Sequence, residues 1–328
     1  MPVDPFANCN FSLNDTSTCT LDTCCLAQSS FLYIPTYGGN LFFTIFFALF
    51  VLPQLGLGWW YKTWGFGIAM AAGLILEVIG YASRLMLHDN PFDGNAFLIY
   101  LITLTIAPVF ISAAIYLCLT RMMVLQGAHL ARVQPRWIAI GFMTSDFISL
   151  LLQAIGGAIA DTADDHDTSQ VGIDIMIAGL FLQALSLAAF IAVFADFSWA
   201  CRRGVLDMDP EKQRIRNSAL FKLFTASLLL AAVVVLIRSI FRVVELWQGF
   251  EGELWNNETD FMILDGAMIA IAVICLTGMH PGFAFGRGMW VAANWTFKTR
   301  KDGAGYEMKG AERGMDSRSG IVSTEENS

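Results

Sequence analysis

The residues of this chain that could do chemistry are polar and ionisable groups set inside long apolar stretches. Glu77, Tyr81 and Arg84 recur at spacings of four and three, as do Arg238, Arg242 and Glu245. Asp146, Ser149 and Gln153 recur at three and four, and Gln183 and Asp265 stand in two further apolar stretches. Residues three and four apart share one face of an α-helix, so each set forms a polar stripe. Guanidiniums suit anionic head groups, and carboxylates suit amines or protons. Together the stripes describe a polar cavity for an amphipathic molecule, bounded by Glu77, Asp146, Arg238, Arg242, Glu245 and Asp265. The same residues also fit a plainer arrangement, in which ion pairs fasten helices to one another. Arg84, Arg242 and Glu245, near the ends of their stretches, suit either role. Gln153 and Gln183 suit hydrogen bonds between helices. Glu77, Asp146 and Asp265 lie deeper, where a charge costs about 2.5–3.5 kcal/mol to insert, and point to function.

The stretches that must position these groups run over 37–57, 65–87, 96–120, 137–160, 172–195, 219–246 and 261–285. Each has close to the ~17–25 residues with which a helix crosses hydrocarbon. Backbone amides find no water there, so each stretch is expected as a helix. Composition agrees: 15% of residues are charged, against about 25% in soluble chains. The expected fold is all-α, a polytopic membrane protein with a seven-transmembrane-helix bundle over 37–286. An N-terminal segment (1–36) precedes it, and a juxtamembrane segment and disordered tail (287–328) follow. Apart from Arg84, Arg238 and Arg242, every Lys and Arg falls after the first, third, fifth or seventh stretch, Lys222 in the opening turn of the sixth. The positive-inside rule then places the N-terminus outside and the C-terminus in the cytoplasm.

The outward N-terminal segment holds Cys9, Cys19, Cys24 and Cys25, expected as two disulfides with the pairing open. Cys24 and Cys25 are neighbours, so each needs its own partner. Asn10, Asn14 and Asn257 head outward glycosylation sequons. His280-Pro281-Gly282 reads as the stop of the seventh helix, and Pro108 as a kink in the third. The four histidines show no ligand spacing, and phosphate loops and nucleophile elbows are absent. No metal, cofactor, catalytic residue or nucleic-acid partner is expected, and the chain does not read as an enzyme.

Several motifs carry a resemblance. They are Leu76-Glu77-Val78-Ile79-Gly80-Tyr81-Ala82-Ser83-Arg84, Ala107-Pro108 through Tyr116, and Asp146 with Gln153, Gly156 and Gly157. Gly179-Leu180 with Gln183, Arg238-Ser239-Ile240-Phe241-Arg242-Val243-Val244-Glu245, Asp265 and His280-Pro281-Gly282 complete the set. In this order over about 37–285 the chain resembles the fungal lipid-translocating exporter family, which includes aminocholesterol-resistance proteins and sphingoid long-chain-base exporters. The resemblance implies a fungal plasma-membrane protein. It would export amphipathic lipids, such as long-chain bases or sterol-like toxins, and confer resistance. Membrane lipids and an amphipathic small molecule are the expected partners. The rival expectation is a seven-helix receptor or a lipid or stress sensor, which the same topology would suit.

Overall fold

The structure is a computed structural model that describes residues 9, 19, 20, 23–29, 31–127, 134–163, 165–203, 218–247, 252 and 254–285. Asn10, Asn14 and the 287–328 segment lie outside the described residues. Seven helices long and apolar enough to cross a membrane are present among the described residues. They are α1 (Tyr37–Tyr61), α2 (Trp64–Asp89), α3 (Gly94–Gly127), α4 (Pro135–Thr162), α5 (His166–Arg203), α6 (Ala219–Trp247) and α7. The last runs as Glu258–Phe261, a π-helical segment Met262–Ala267, and Met268–Gly278.

Most helices outrun the apolar stretches that announce them. At 38 residues, α5 is about 57 Å long, well beyond the ~30 Å of hydrocarbon. Its polar ends extend it because nothing breaks the helix there and a local cap starts it. The Thr168 amide and hydroxyl both donate to Asp165 Oδ2 at 3.0 Å, and these bonds hold the exposed Asp165 carboxyl below the usual carboxylate range. Asn257 caps α7, accepting from the amides of Thr259 and Asp260, while its Nδ2 donates to Asp260 Oδ2 at 2.8 Å. The turn between α1 and α2 is made by Lys62, which is left-handed at φ 55°. At its other end α7 stops at Gly278, as the His-Pro-Gly signal predicts. His280 Nδ1 accepts from the Gly282 amide at 3.0 Å, leaving Nε2 to donate to Thr63 Oγ1 at 3.3 Å.

Chain neighbours pack side by side, α1 returns to α7, and α3 touches α2, α4, α5 and α6. Glycines set the closest approaches. A methyl group at Gly156 would press on the Gly172 carbonyl and the Met176 amide, and one at Gly179 on Ser149 and Gln153, so α4 and α5 meet nearly backbone to backbone. This small-residue packing is how helices associate where lipid removes the hydrophobic driving force. Around the outside, Phe42, Leu49, Leu52, Phe147, Phe181 and Ile240 are exposed. Exposed Trp59, Trp60, Trp64, Trp137 and Trp199 all sit at the α1–α2 end of the bundle, the arrangement of an interfacial aromatic belt.

The opposite end is covered by the N-terminal segment. Disulfides join Cys9 to Cys25 and Cys19 to Cys24, so each of the adjacent cysteines takes its own partner. Phe31 stacks on Trp255 at 5.7 Å, the Leu32 amide donates to Asn256 Oδ1 at 2.9 Å, and the Cys19 and Cys24 side chains pack on Phe92. The helix packing makes a direct prediction. Gly156→Ala should destabilise by about 1–3 kcal/mol through overpacking. Gly141→Ala, which meets nothing within 4 Å, should be neutral or gain up to about 1 kcal/mol. Thermal unfolding of both variants in one detergent checks this, and equal melting temperatures would contradict it.

Candidate functional site

The charged stripes converge on α7 at the π-helical segment. The wider π turn carries Asp265 to the arginines of α6. Arg238 Nε donates to Asp265 Oδ1 at 2.7 Å, and Arg242 Nε donates to the same oxygen at 2.8 Å. Arg242 Nη1 also donates to Glu245 Oε2 at 3.0 Å. All four side chains are buried. Arg238 Nη2 donates to the Leu104 carbonyl at 2.6 Å. That carbonyl is free for a covalent reason. Its helical partner would be the amide of residue 108, which is Pro108 and has no N–H. The proline noticed in the sequence as a kink therefore also supplies a hydrogen-bond acceptor inside the membrane.

Glu77 and Tyr81 of α2 adjoin this cluster without bonding to it. Glu77 is 1% exposed and Tyr81 0%, yet Glu77 Oε1 and Oε2, the Tyr81 hydroxyl and Asp265 Oδ2 have no hydrogen-bond partner. The charges that face Glu77 are those of Asp265, Arg238 and Arg242. The Tyr81 hydroxyl lies against Gly266, where a methyl group would collide with it.

Arg84, one turn further along α2, belongs to a separate cage. Its Nε donates to Asn40 Oδ1 at 2.9 Å, its Nη2 to the Tyr33 hydroxyl at 3.0 Å, and Glu258 lies 3.6 Å away. Phe261 stands against both guanidiniums, 4.2 Å from Arg84 and 5.1 Å from Arg242. Glu258 Oε1 and Oε2 in turn accept from the Thr36 amide and hydroxyl at 2.6 Å each. Burial pushes the Tyr33 phenol up to about 12 against the pull of Arg84. The cage thus ties the N-terminal segment, α1, α2 and α7 together.

Asp146 and the glutamines lie apart from these clusters. Tyr116 donates its hydroxyl to Asp146 Oδ2 at 2.9 Å, and Gln153 Nε2 donates to Gln183 Oε1 at 3.2 Å. The residues singled out in the sequence therefore form four groups and do not ring a single cavity. The sequence reading missed Asn40, Tyr33 and the Leu104 carbonyl as partners. Asn40 was visible as a lone amide near the start of an apolar helix, and Leu104 as the residue four before Pro108.

A cavity of about 330 Å³ opens between α3, α4, α5 and α6. Its walls are mostly apolar, with Leu98, Ile102, Ile106, Leu150, Ala154 and Met176 among them, and its polar groups are Thr105, Gln153 and Arg242. Gln153 and Arg242 are thus the two predicted site residues that line it. Arg242 serves both places, since it borders the cavity and also donates to Asp265. The arrangement can hold an apolar chain and present a guanidinium and an amide to a polar head.

Comparison with known proteins shows relatives in Saccharomyces cerevisiae. The chain is 32% identical to the sphingoid long-chain base transporter RSB1 over 252 residues, 68% of this chain and 66% of that protein. The match therefore spans just under two thirds of the relative's own length. Protoporphyrin uptake protein 1 is 29% identical over 211 residues, 64% of this chain and 67% of the relative. Protein RTM1 is 28% identical over 220 residues, 66% and 68%. No solved structure matches the chain. The family model described as RTA1 like protein matches residues 70–288, well over half of the chain, and takes in the charged residues of α2, α6 and α7 together with the whole cavity wall. With that match, the chain belongs to the RTA1-like protein family.

Proposed function

We propose that this protein is a membrane transporter that exports amphipathic lipids. Sphingoid long-chain bases and sterol-like toxins are the favoured substrates, and resistance to them the physiological result. The observation that carries the reading is the cavity, apolar along most of its wall and polar at Arg242 and Gln153. Ligand sites of about 300–1,000 Å³ with few polar groups are the usual form of a small-molecule pocket. The transport names of two relatives, one for a long-chain base and one for a porphyrin, support an amphipathic cargo. No observation favours the receptor reading over this one.

In the proposed arrangement the protein lies in the plasma membrane with the disulfide-bearing N-terminus outside. The distribution of Lys and Arg supports this orientation. A C-terminal tag should then be reached by antibody only after cells are permeabilised. Labelling of intact cells would reverse the topology.

The transport reading is tested by flux of a fluorescent sphingoid-base analogue across liposomes that contain the purified protein. Flux above that of protein-free liposomes is expected. Ala154→Trp and Gly157→Leu fill the cavity from α4 and should lower flux about tenfold, equivalent to ~1.4 kcal/mol, while melting close to the unmodified protein. Flux equal to that of empty liposomes would overturn the function, and full flux in both filled variants would overturn the cavity as its route.

A further inference from the structure

Charge accounting in the buried core leaves two carboxyls without a cationic counterpart, Asp146, which accepts from the Tyr116 hydroxyl, and Glu77. Arg84 faces Glu258. Arg238 and Arg242 face Asp265 and Glu245. Glu77 remains, with both oxygens buried and unbonded. Three carboxyls thus share two guanidiniums at this locus, and the shortfall is a single positive charge. A buried carboxylate without a partner costs several kcal/mol, so the space beside it is chemically specific. Four buried polar atoms have no partner, Glu77 Oε1 and Oε2, Asp265 Oδ2 and the Tyr81 hydroxyl; Glu77 and Tyr81 share a face of α2, and the Tyr81 hydroxyl lies against Gly266, next to Asp265. Three of the four are carboxyl oxygens, so the locus favours a positively charged occupant.

We propose that the locus between Glu77, Tyr81 and Asp265 binds one small monovalent cation, H⁺ or Na⁺, and couples its occupancy to the cavity. The coupling route is short. Asp265 gives Oδ1 to Arg238 and Arg242 and leaves Oδ2 unbonded. Arg242 reaches the cavity wall, and Arg238 holds the Leu104 carbonyl of α3, a helix that lines the cavity. A cation beside Glu77 weakens the claim of that carboxyl on the two guanidiniums, and its departure strengthens it. The balance of charge that Arg242 presents to a lipid head group changes accordingly. Other charged and titratable groups act on the locus. Arg238 and Arg242 come from α6, Asp265 from α7, and Arg84 and Tyr81 from α2 itself, while Glu245 of α6 and Tyr100 of α3 act on Arg242 in turn. Among the buried carboxyls of the described residues, Glu77 alone has no hydrogen bond to hold it in place.

The inference rests on the transport reading for its purpose, but its test does not require transport. The full chain in lipid nanodiscs is melted over a pH series without sodium, and at fixed pH in NaCl against choline chloride. A cation that binds only the folded state raises the melting temperature by mass action. A shift of roughly 5 °C per hundredfold change is expected for one of the two cations, and the responding series names the source. Glu77→Gln is neutral at this position and should melt at least as high as the unmodified protein, with its dependence on that cation abolished. Tyr81→Phe keeps the carboxyl, removes one oxygen, and should weaken the dependence; it serves as the test if Glu77→Gln does not fold. Indifference of the unmodified protein to both cations would overturn the site, as would an unchanged dependence in the substituted protein. Cation dependence without lipid flux in liposomes would sink the transport reading and leave the site standing.

Discussion

One carboxylate oxygen, Asp265 Oδ1, accepts hydrogen bonds from two buried guanidiniums between α6 and α7. Much else in the structure depends on that bridge. It requires the π-helical turn that brings Asp265 forward, a local widening often found at functional sites. It draws Arg238 and Arg242 to one face of α6, and through Arg238 it engages the carbonyl that Pro108 releases in α3. Buried ion pairs are poor evidence of net stability, because desolvation offsets much of their attraction. Breaking one by removing a single partner nevertheless costs about 3–5 kcal/mol. The bridge is therefore best seen as specifying how α3, α6 and α7 fit together.

Around it the polar residues divide by physical role. Arg84 is surrounded by Asn40, Tyr33, Glu258 and aromatic rings, with little freedom to meet a ligand. Its cage closes one end of the bundle over the N-terminal segment. Asp146 is served by Tyr116 on a different wall. Glu77 differs from both, since nothing holds it. The account thus separates carboxylates that organise helices from one that is free to exchange a partner, a separation that helical spacing alone does not make.

Much of the fold was legible in the sequence. Seven apolar stretches and the stop at His280-Pro281-Gly282 follow from hydrocarbon length and helix-ending chemistry. Periodicity showed which polar residues share a face of α2 or α6, because that is a property of one helix. It did not show which faces meet. The pairing of Asp265 with both arginines depends on a π turn that no residue in Met262–Ala267 announces. The meeting of Glu77 and Tyr81 with Asp265 depends on the approach of α7 through Gly266. The cavity depends on α3 and α4 standing slightly apart while Gly156 and Gly172 draw α4 onto α5. Each of these is a relation between helices, and a single apolar pattern carries no register for it.

The central claim is that Asp265 is the shared counter-charge of Arg238 and Arg242. It is tested most directly by comparing thermal unfolding of Asp265→Asn with that of Asp265→Asn combined with Arg238→Gln, both in the same lipid nanodiscs. The single change should cost about 3–5 kcal/mol, because it leaves Arg238 buried without its bonded carboxylate while Arg242 keeps Glu245. The second change should restore part of the loss by removing an uncompensated charge, a coupling of about 0.5–3 kcal/mol. A single variant as stable as the unmodified protein, or losses that simply add in the double variant, would contradict the account.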